Sequence, residues 1–450
     1  MDPKKNKTEK RSGSVPLAAV ILMVLVPLVG AILIFSLFLH MPQGEGRMLA
    51  LSDSVAIPVI ICLLVMVSLL AVFFFLISSR TAKTDTGTEK IYDDRFSKLL
   101  DTDSEMKKHR PAEYDRVSLG EICTGFCNYA ASEEGLYYLP ETVRAFVAGM
   151  SVSRLLIFQG ISGTGKTSLA YAFGKYIQND TVMVPVQPSW KDKTDLLGYY
   201  NEFTGSYNET ELLSKLYEAE YNDEIYIALL DEMNIARVEY YFAEFLSVLE
   251  LPDSESRTVE IVSDSRAGDP KKLCRGRLHI SDNVWFVGTA NNDDSTLAIS
   301  DKVYDRATVI DLDRRAEPFS APKTKRIKLS GSGLRELFAE ARRKYRLGDE
   351  IREKIIRLDG YLTEEFGITF GNRIMRQLEG FVPVYIACGG SESEAVDQII
   401  SRKILRKLEN RNPVYVRSGA EKLVGEINRL FGENALPLCS DYIGKLARKY

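Results

Sequence analysis

The sequence predicts an α/β fold, a parallel sheet flanked by helices, followed by a helical C-terminal domain and preceded by two transmembrane helices. Three observations carry that prediction. Gly160 to Thr167 read G-I-S-G-T-G-K-T between an apolar run, Leu155 to Phe158, and a helix-like stretch, Ser168 to Ile177. Glu224 to Glu232 form a β-branched and apolar run ending in two acids, and Asn283 to Thr289 form another that leads into Ala290, Asn291 and Asn292. Two uncharged apolar stretches, Val15 to Leu39 and Val55 to Ser79, stand near the N-terminus.

Residues 1–14 are basic, with Lys4, Lys5, Lys7, Lys10 and Arg11. Each apolar stretch that follows is long enough to cross a hydrocarbon core of about 30 Å with some tilt. A buried core helix can also be apolar all round, but two such segments joined by a short loop favour a membrane hairpin over residues 15–80. The first stretch is too long for a signal-peptide core, and His40 to Arg47 lacks a small-x-small cleavage pattern. Arg47 alone lies between the spans, whereas Arg80, Lys83 and Lys90 follow the second, so the positive-inside rule places both termini in the cytosol. Residues 81–114 are charged and poor in large apolar side chains, as expected of a flexible or partly helical tether. From Ser118 onward, amphipathic patterning and the Leu139-Pro140-Glu141 start signal predict helices ahead of the first core strand of an α/β core over 115–320.

Strand, glycine-rich loop and helix start, in that order, are what a phosphate-binding loop needs. Backbone N–H groups of such a loop wrap phosphates, and its glycines supply dihedrals with φ > 0. The helix N-terminus adds partial positive charge. The residues expected to hold a nucleotide are Gly160, Ser162, Gly163, Thr164, Gly165, Lys166, Thr167 and Ser168, with Lys166 reaching the β- and γ-phosphates and the Thr167 hydroxyl ligating Mg²⁺. Glu224 to Glu232 read as a buried parallel strand whose C-terminal tip faces the ligand. Asp231 would hold Mg²⁺ through water, and Glu232 would orient or deprotonate an attacking water. The competing reading of that pair is an acidic helix cap.

Together the phosphate loop, Leu229-Leu230-Asp231-Glu232 and Gly288-Thr289-Ala290-Asn291 resemble the AAA+ ATPase family of P-loop NTPases. The stretch D-E-M-N-I-A-R-V-E-Y-Y-F-A-E-F-L-S-V-L-E, Asp231 to Glu250, is similar to the branch that holds McrB-type, MoxR-type and dynein-related ATPases. The resemblance implies that Asn291 is a sensor 1 residue positioning the hydrolytic water. It implies that Arg306, in Leu297 to Ala307, is an arginine finger projecting into the site of a neighbouring subunit. A local ion pair with Asp301 or Asp305 is the plainer account of Arg306. Gly367 to Phe381 resembles the sensor 2 region of a helical lid domain over 321–450, with Arg373 as the γ-phosphate contact and Arg376 behind it; a solvated basic helix face competes.

The resemblance further implies ATP and Mg²⁺ as cofactors, a homo-oligomeric ring of six subunits, and a protein client remodelled at the bilayer's cytosolic face. Two alternatives stand beside it. McrB-like proteins use GTP and act with a nuclease on DNA, and a nucleotide-dependent membrane scaffold would not turn over.

The net charge of −4 offers no overall basic footprint for nucleic acid. Lys323, Lys325, Arg326 and Lys328 form one basic cluster, and Arg402, Lys403, Arg406 and Lys407 form another, interleaved with Ile400, Ile404 and Leu405 so that a solvated helix face is expected. Six cysteines and three histidines show no metal-ligand spacing, and unpaired, mostly buried thiols are expected. Gln187 to Asn201 resembles an insert before helix 2 in this branch, and R-T-V-E-I-V and G-R-L-H-I within Arg257 to Ser281 read as a hairpin. Trp190, Tyr199 and Tyr200 are candidate client contacts there.

Overall fold

The computed structural model describes residues 68, 94–107, 112–291, 296–314 and 316–449. The basic N-terminus, both apolar stretches apart from Ser68, and residues 81–93 and 108–111 of the tether lie outside the described residues. Among the described residues, no helix is long and apolar enough to cross a membrane.

Among the described residues ten strands follow one another: β1 Leu155–Gly160, β2 Val182–Pro185, β3 Gly198–Asn201, β4 Ser206–Glu209, β5 Tyr226–Asp231, β6 Thr258–Glu260, β7 Leu273–Cys274, β8 Arg277–His279, β9 Val284–Asn291 and β10 Thr308–Asp311. Five of them make one sheet in the order β10-β1-β9-β5-β2, and all four pairings are parallel. The remainder form an antiparallel β3–β4 pair and a small β6-β8-β7 sheet. Near-continuous apolar runs such as Tyr-Ile-Ala-Leu-Leu in β5 and Val-Trp-Phe-Val in β9 are what a sheet covered on both faces requires.

Side-chain alternation splits the core into two layers. Leu156 and Phe158, Ile227 and Leu229, and Trp285 and Val287 face a cluster with helices Leu119–Glu133, Pro140–Met150 and Lys166–Tyr176 and with the C-terminal helices. Leu155 and Ile157, Tyr226 and Ala228, and Val284 and Phe286 face the other cluster, under helix Glu211–Glu218, the segment Val238–Val248 and the hairpins. Each large side chain buried this way contributes about 1.5–3 kcal/mol. Ser118 and Glu121 close a capping box at the start of Leu119–Glu133, and Pro140 takes the first turn of the next helix, as their sequence signals predict.

The C-terminal region is helical, with Gly331–Lys344, Asp349–Phe366, Asn372–Ala387, Glu392–Ile399, Pro413–Phe431 and Pro437–Lys449. Between the fourth and fifth of these the chain runs through a π-helical turn, Ile400–Ile404, and a 3₁₀ segment, Leu405–Asn410. A parallel sheet flanked by helices and followed by a helical region fits the P-loop class.

Of the two alternatives for the tether, the partly helical one holds over 94–106, and the expectation for the 402–407 cluster needs correcting. The part of the tether over 94–106 is not loose: Phe96 and Leu99 are fully buried, and Phe96 stacks on Tyr207. Arg95 pairs with Asp264 and Asp269 at 2.6 and 2.7 Å, and the Glu209 carboxylate accepts from the backbone N–H groups of Ser97, Lys98 and Leu99, which open helix Lys98–Met106. A helix start with a carboxylate to satisfy its free N–H groups is stable despite few apolar residues. The basic cluster at 402–407 is not a solvated face either. The π turn swings Lys403 inward, where Nζ donates to the carbonyls of Tyr304 and Asp305 at 3.2 and 3.3 Å, while Arg402 pairs with Asp311.

Candidate functional site

The C-terminal tips of β1, β5 and β9 lie side by side because β9 pairs with both of the others, Gly160 opposite Asn291 and Leu230 opposite Gly288. The loop after β1 turns on Gly160 at φ 147°, Gly163 at 77° and Gly165 at 88°. A Cβ on Gly160 would meet the Leu312 carbonyl at 3.0 Å, so both space and dihedral call for glycine. Gly165 is the N-cap of the helix that begins at Lys166, and Tyr138 closes over it, its hydroxyl donating to the Gly165 carbonyl at 3.4 Å. Lys166 is buried, with Nζ donating to the carbonyls of Gly160 and Ile161 at 3.0 and 2.8 Å, so its ammonium sits inside the loop's curve.

One oxygen organises the rest. Asp231 Oδ1 accepts from the Thr167 hydroxyl at 2.7 Å and from the Thr289 hydroxyl at 2.8 Å. Thr289 in turn accepts from the backbone N–H of Glu232 at 2.8 Å. Glu232 has φ 53°, the left-handed region that a non-glycine residue rarely takes, and its held N–H helps fix it there. A hydroxyl and a carboxylate oxygen this close form a hard donor set of the kind that suits Mg²⁺, which keeps several of its own waters. The loop, its lysine and this donor pair therefore fit a Mg²⁺-bound polyphosphate.

Asn291 ends β9 at the same edge. Its backbone is gripped by the side chain of Asn234, whose Nδ2 donates to the Asn291 carbonyl at 3.0 Å and whose Oδ1 accepts from the Asn291 N–H at 3.3 Å. Thr289 and Asn234 are positioning residues that the sequence alone did not single out. Their signal is visible in retrospect: Thr289 sits two residues before Asn291, on the same strand face, and Asn234 lies in the middle of the turn after the acids. Gly288 has a packing reason, since a Cβ there would lie 2.0 Å from the Met233 sulfur under the acid pair.

Gly160, Ser162, Gly163, Thr164, Gly165, Lys166, Thr167, Ser168, Asp231, Glu232 and Asn291 thus share one sheet edge, belonging to the tips of β1, β5 and β9, the turns that leave them or the first turn of helix Lys166–Tyr176. Arg306 and Arg373 do not join them. Arg306 lies just before β10 and its carbonyl accepts from Ser153, which precedes β1, so it stands at the opposite end of the sheet. The length of β1 alone separates the two edges by roughly 16 Å. Glu250 bridges the pair, 2.8 Å from Arg306 and 2.9 Å from Arg373. Neither local partner expected for Arg306, Asp301 or Asp305, takes that place, and Arg373 does not reach the phosphate loop of its own chain. Arg376 lines the same cleft, a cavity of about 1000 Å³.

The hairpin candidates are also placed. β3 ends the Gln187 to Asn201 stretch and pairs with β4, and β6 pairs with β8 as read from the sequence. Trp190 stacks edge-on against buried Tyr241, Tyr200 carries the Arg266 guanidinium, and Tyr199 is exposed. Of the cysteines in the described residues, Cys123, Cys127, Cys388 and Cys439 are buried and Cys274 is exposed.

No protein-family profile matches the chain. Among characterised proteins it is similar to the Type IV methyl-directed restriction enzyme EcoKMcrB subunit of Escherichia coli (strain K12), 24% identical over 172 residues. The match covers 36% of this chain and 36% of that relative, so the chain spans about a third of its length. Similarity on that scale supports kinship with McrB-related AAA+ nucleotide-binding proteins and nothing narrower.

Proposed function

We propose that the chain is a membrane-anchored AAA+ ATPase, held by spans at 15–39 and 55–79 with both termini and the catalytic part in the cytosol. The observation that carries the catalytic half is the convergence of the Thr167 and Thr289 hydroxyls on Asp231 Oδ1 beside the loop that encloses Lys166. In this reading the loop amides and Lys166 bind and orient the triphosphate. Thr167, and Asp231 through water, would hold Mg²⁺, which would supply positive charge beside the transferred phosphoryl group. Glu232 aligns and deprotonates the attacking water, and Asn291 fixes that water's second hydrogen bond.

Arg306 stands too far from its own loop to serve it, which supports a role in the neighbouring subunit of a homo-oligomeric ring, six subunits by the resemblance. Movement between sheet and C-terminal helices would then pass to a protein client. The test is phosphate release by the full chain in detergent micelles. Glu232→Gln should abolish release with nucleotide still bound, and equal rates in the two proteins would remove the assignment. Activity should rise with protein concentration and vanish in Arg306→Ala; an Arg306→Ala chain active at high dilution would remove the shared site. The likeness to a restriction-enzyme subunit favours a second reading, a GTPase, and the same assay run with GTP decides it.

A further inference from the structure

Arg306 sits on a segment that the sheet alone does not hold. It follows the short helix Asp301–Tyr304 and precedes β10, and its backbone N–H donates to the Val303 carbonyl at 3.1 Å. Carbonyls at the end of so short a helix find no partner within it. Here the partner comes from the C-terminal helical region, 99 residues further along the chain.

Side chains of residues 402–410 grip residues 301–311 on both sides of the arginine. Lys403 Nζ donates to the carbonyls of Tyr304 and Asp305 at 3.2 and 3.3 Å, which fixes the main chain immediately before Arg306. The Arg406 guanidinium lies over the ring of Tyr304, and Asn410 Nδ2 donates to Asp301 Oδ2 at 2.6 Å. Beyond Arg306, Asp311 pairs with Arg402. The grip depends on the π turn over Ile400–Ile404, which carries Lys403 inward to 7% exposure. Single turns of this kind occur frequently at functional sites. A buried ammonium bonded only to main-chain carbonyls costs more than an apolar side chain of similar length would. Stability therefore gives no reason for a lysine at this place, whereas the direction it imposes on the chain entering Arg306 does.

We propose that Lys403 is a positioning residue for Arg306, and that the π turn aims the arginine which one copy offers to the nucleotide site of the next. This rests on the shared-site reading above. Lys403 acts on the finger's main chain, so its effect should be felt in the neighbour's site and not at the loop of its own chain. The competing outcome has a structural route, because the Tyr304 hydroxyl also donates to Gln159 Oε1 at 3.2 Å, one residue before Gly160.

The experiment mixes two full chains in detergent micelles and reads phosphate release. Lys166→Ala chains supply Arg306 without a working loop, and Arg306→Ala chains supply the loop without a finger, so only mixed junctions hydrolyse. Lys403→Met keeps a stem of similar length and removes the ammonium. On the Lys166→Ala chain it should lower the rate at saturating nucleotide about tenfold or more with KM unchanged, because misplacing a reacting group by about 1 Å costs about 10²-fold. On the Arg306→Ala chain it should leave the rate unchanged. Asn410→Ala, an exposed change that spares the buried cluster, should repeat this one-sided loss more weakly. The amides of Asp305, Arg306 and Ala307, bonded to the helix before them, should exchange hydrogen faster in Lys403→Met. No loss on the finger side, or an equal loss on the loop side, overturns the proposal while the shared site stands. A mixture that stays silent with Lys403 native removes the shared site and this inference together.

Discussion

Thr289→Val is the most informative single change at the site, because valine keeps the shape of a side chain that is 3% exposed and removes only its hydroxyl. Two bonds are lost: the donation to Asp231 Oδ1 at 2.8 Å and the acceptance from the Glu232 N–H at 2.8 Å. A hydrogen bond to a carboxylate is worth about 1.5–3 kcal/mol net, and an N–H left without its acceptor costs about 1–3 kcal/mol. Thr167 still donates to the same oxygen, and Glu232 lies near solvent, so both losses fall toward the lower ends, and about 2.5–4 kcal/mol of stability should disappear. The left-handed turn at Glu232 would relax without its anchor, and displacement of a reacting group by about 1 Å costs about 10²-fold in rate. Urea denaturation midpoints and phosphate release check the two halves separately, with Thr289→Ser as the control that restores the hydroxyl. A Thr289→Val protein with the wild-type rate, or a Thr289→Ser protein as impaired as valine, would refute the argument that this hydroxyl positions the acids.

The remaining predictions concern the loop, the turn after the acids and the π turn. Gly160→Ala should abolish nucleotide binding measured by fluorescence titration, because φ 147° and a Leu312 carbonyl at 3.0 Å leave no place for a methyl group. Asn234→Leu removes both bonds to the Asn291 backbone and should lower the rate at saturating nucleotide by about tenfold or more, with little change in nucleotide affinity. Burial pushes the Lys403 ammonium down to about 7, Asp305 opposes this, and Arg373, Lys407 and Arg406 add to it. The unfolded chain keeps that lysine protonated to about 10.4, so between these values the unfolded state binds the extra proton and stability rises with pH, by at most ~1.4 kcal/mol per pH unit. Lys403→Met should flatten that rise in urea midpoints taken at pH 7 and pH 9.5.

The central sheet was readable from residues alone because its strands are buried on both faces. Leu155 to Phe158, Thr181 to Val186, Glu224 to Glu232, Asn283 to Thr289 and Thr308 to Leu312 each fall on an observed strand, their apolar runs bounded by polar turns. The loop was readable for a different reason: glycine at Gly160 and Gly165 is a backbone requirement, so the pattern is local. What sequence could not show is long-range pairing. Nothing local marks Glu209 as the acceptor for the N–H groups at 97–99, more than a hundred residues upstream. Helical spacing at 400–407 suggested an exposed basic face, but the π turn changes the period and carries Lys403 under the Tyr304 carbonyl. Arg306 and Arg373 were each picked out singly; that one carboxylate, Glu250, joins them depends on folding the chain.

The strand order also has a bearing on biosynthesis. β1 and β5 emerge from the ribosome well before β9, yet neither touches the other in the finished sheet. Until residue 291 has been made, their facing edges are open templates for the wrong partner. A nascent or truncated product ending short of that point would carry the loop and both acids without the strand that sets them side by side, and it should be a client for chaperones before it could be an enzyme.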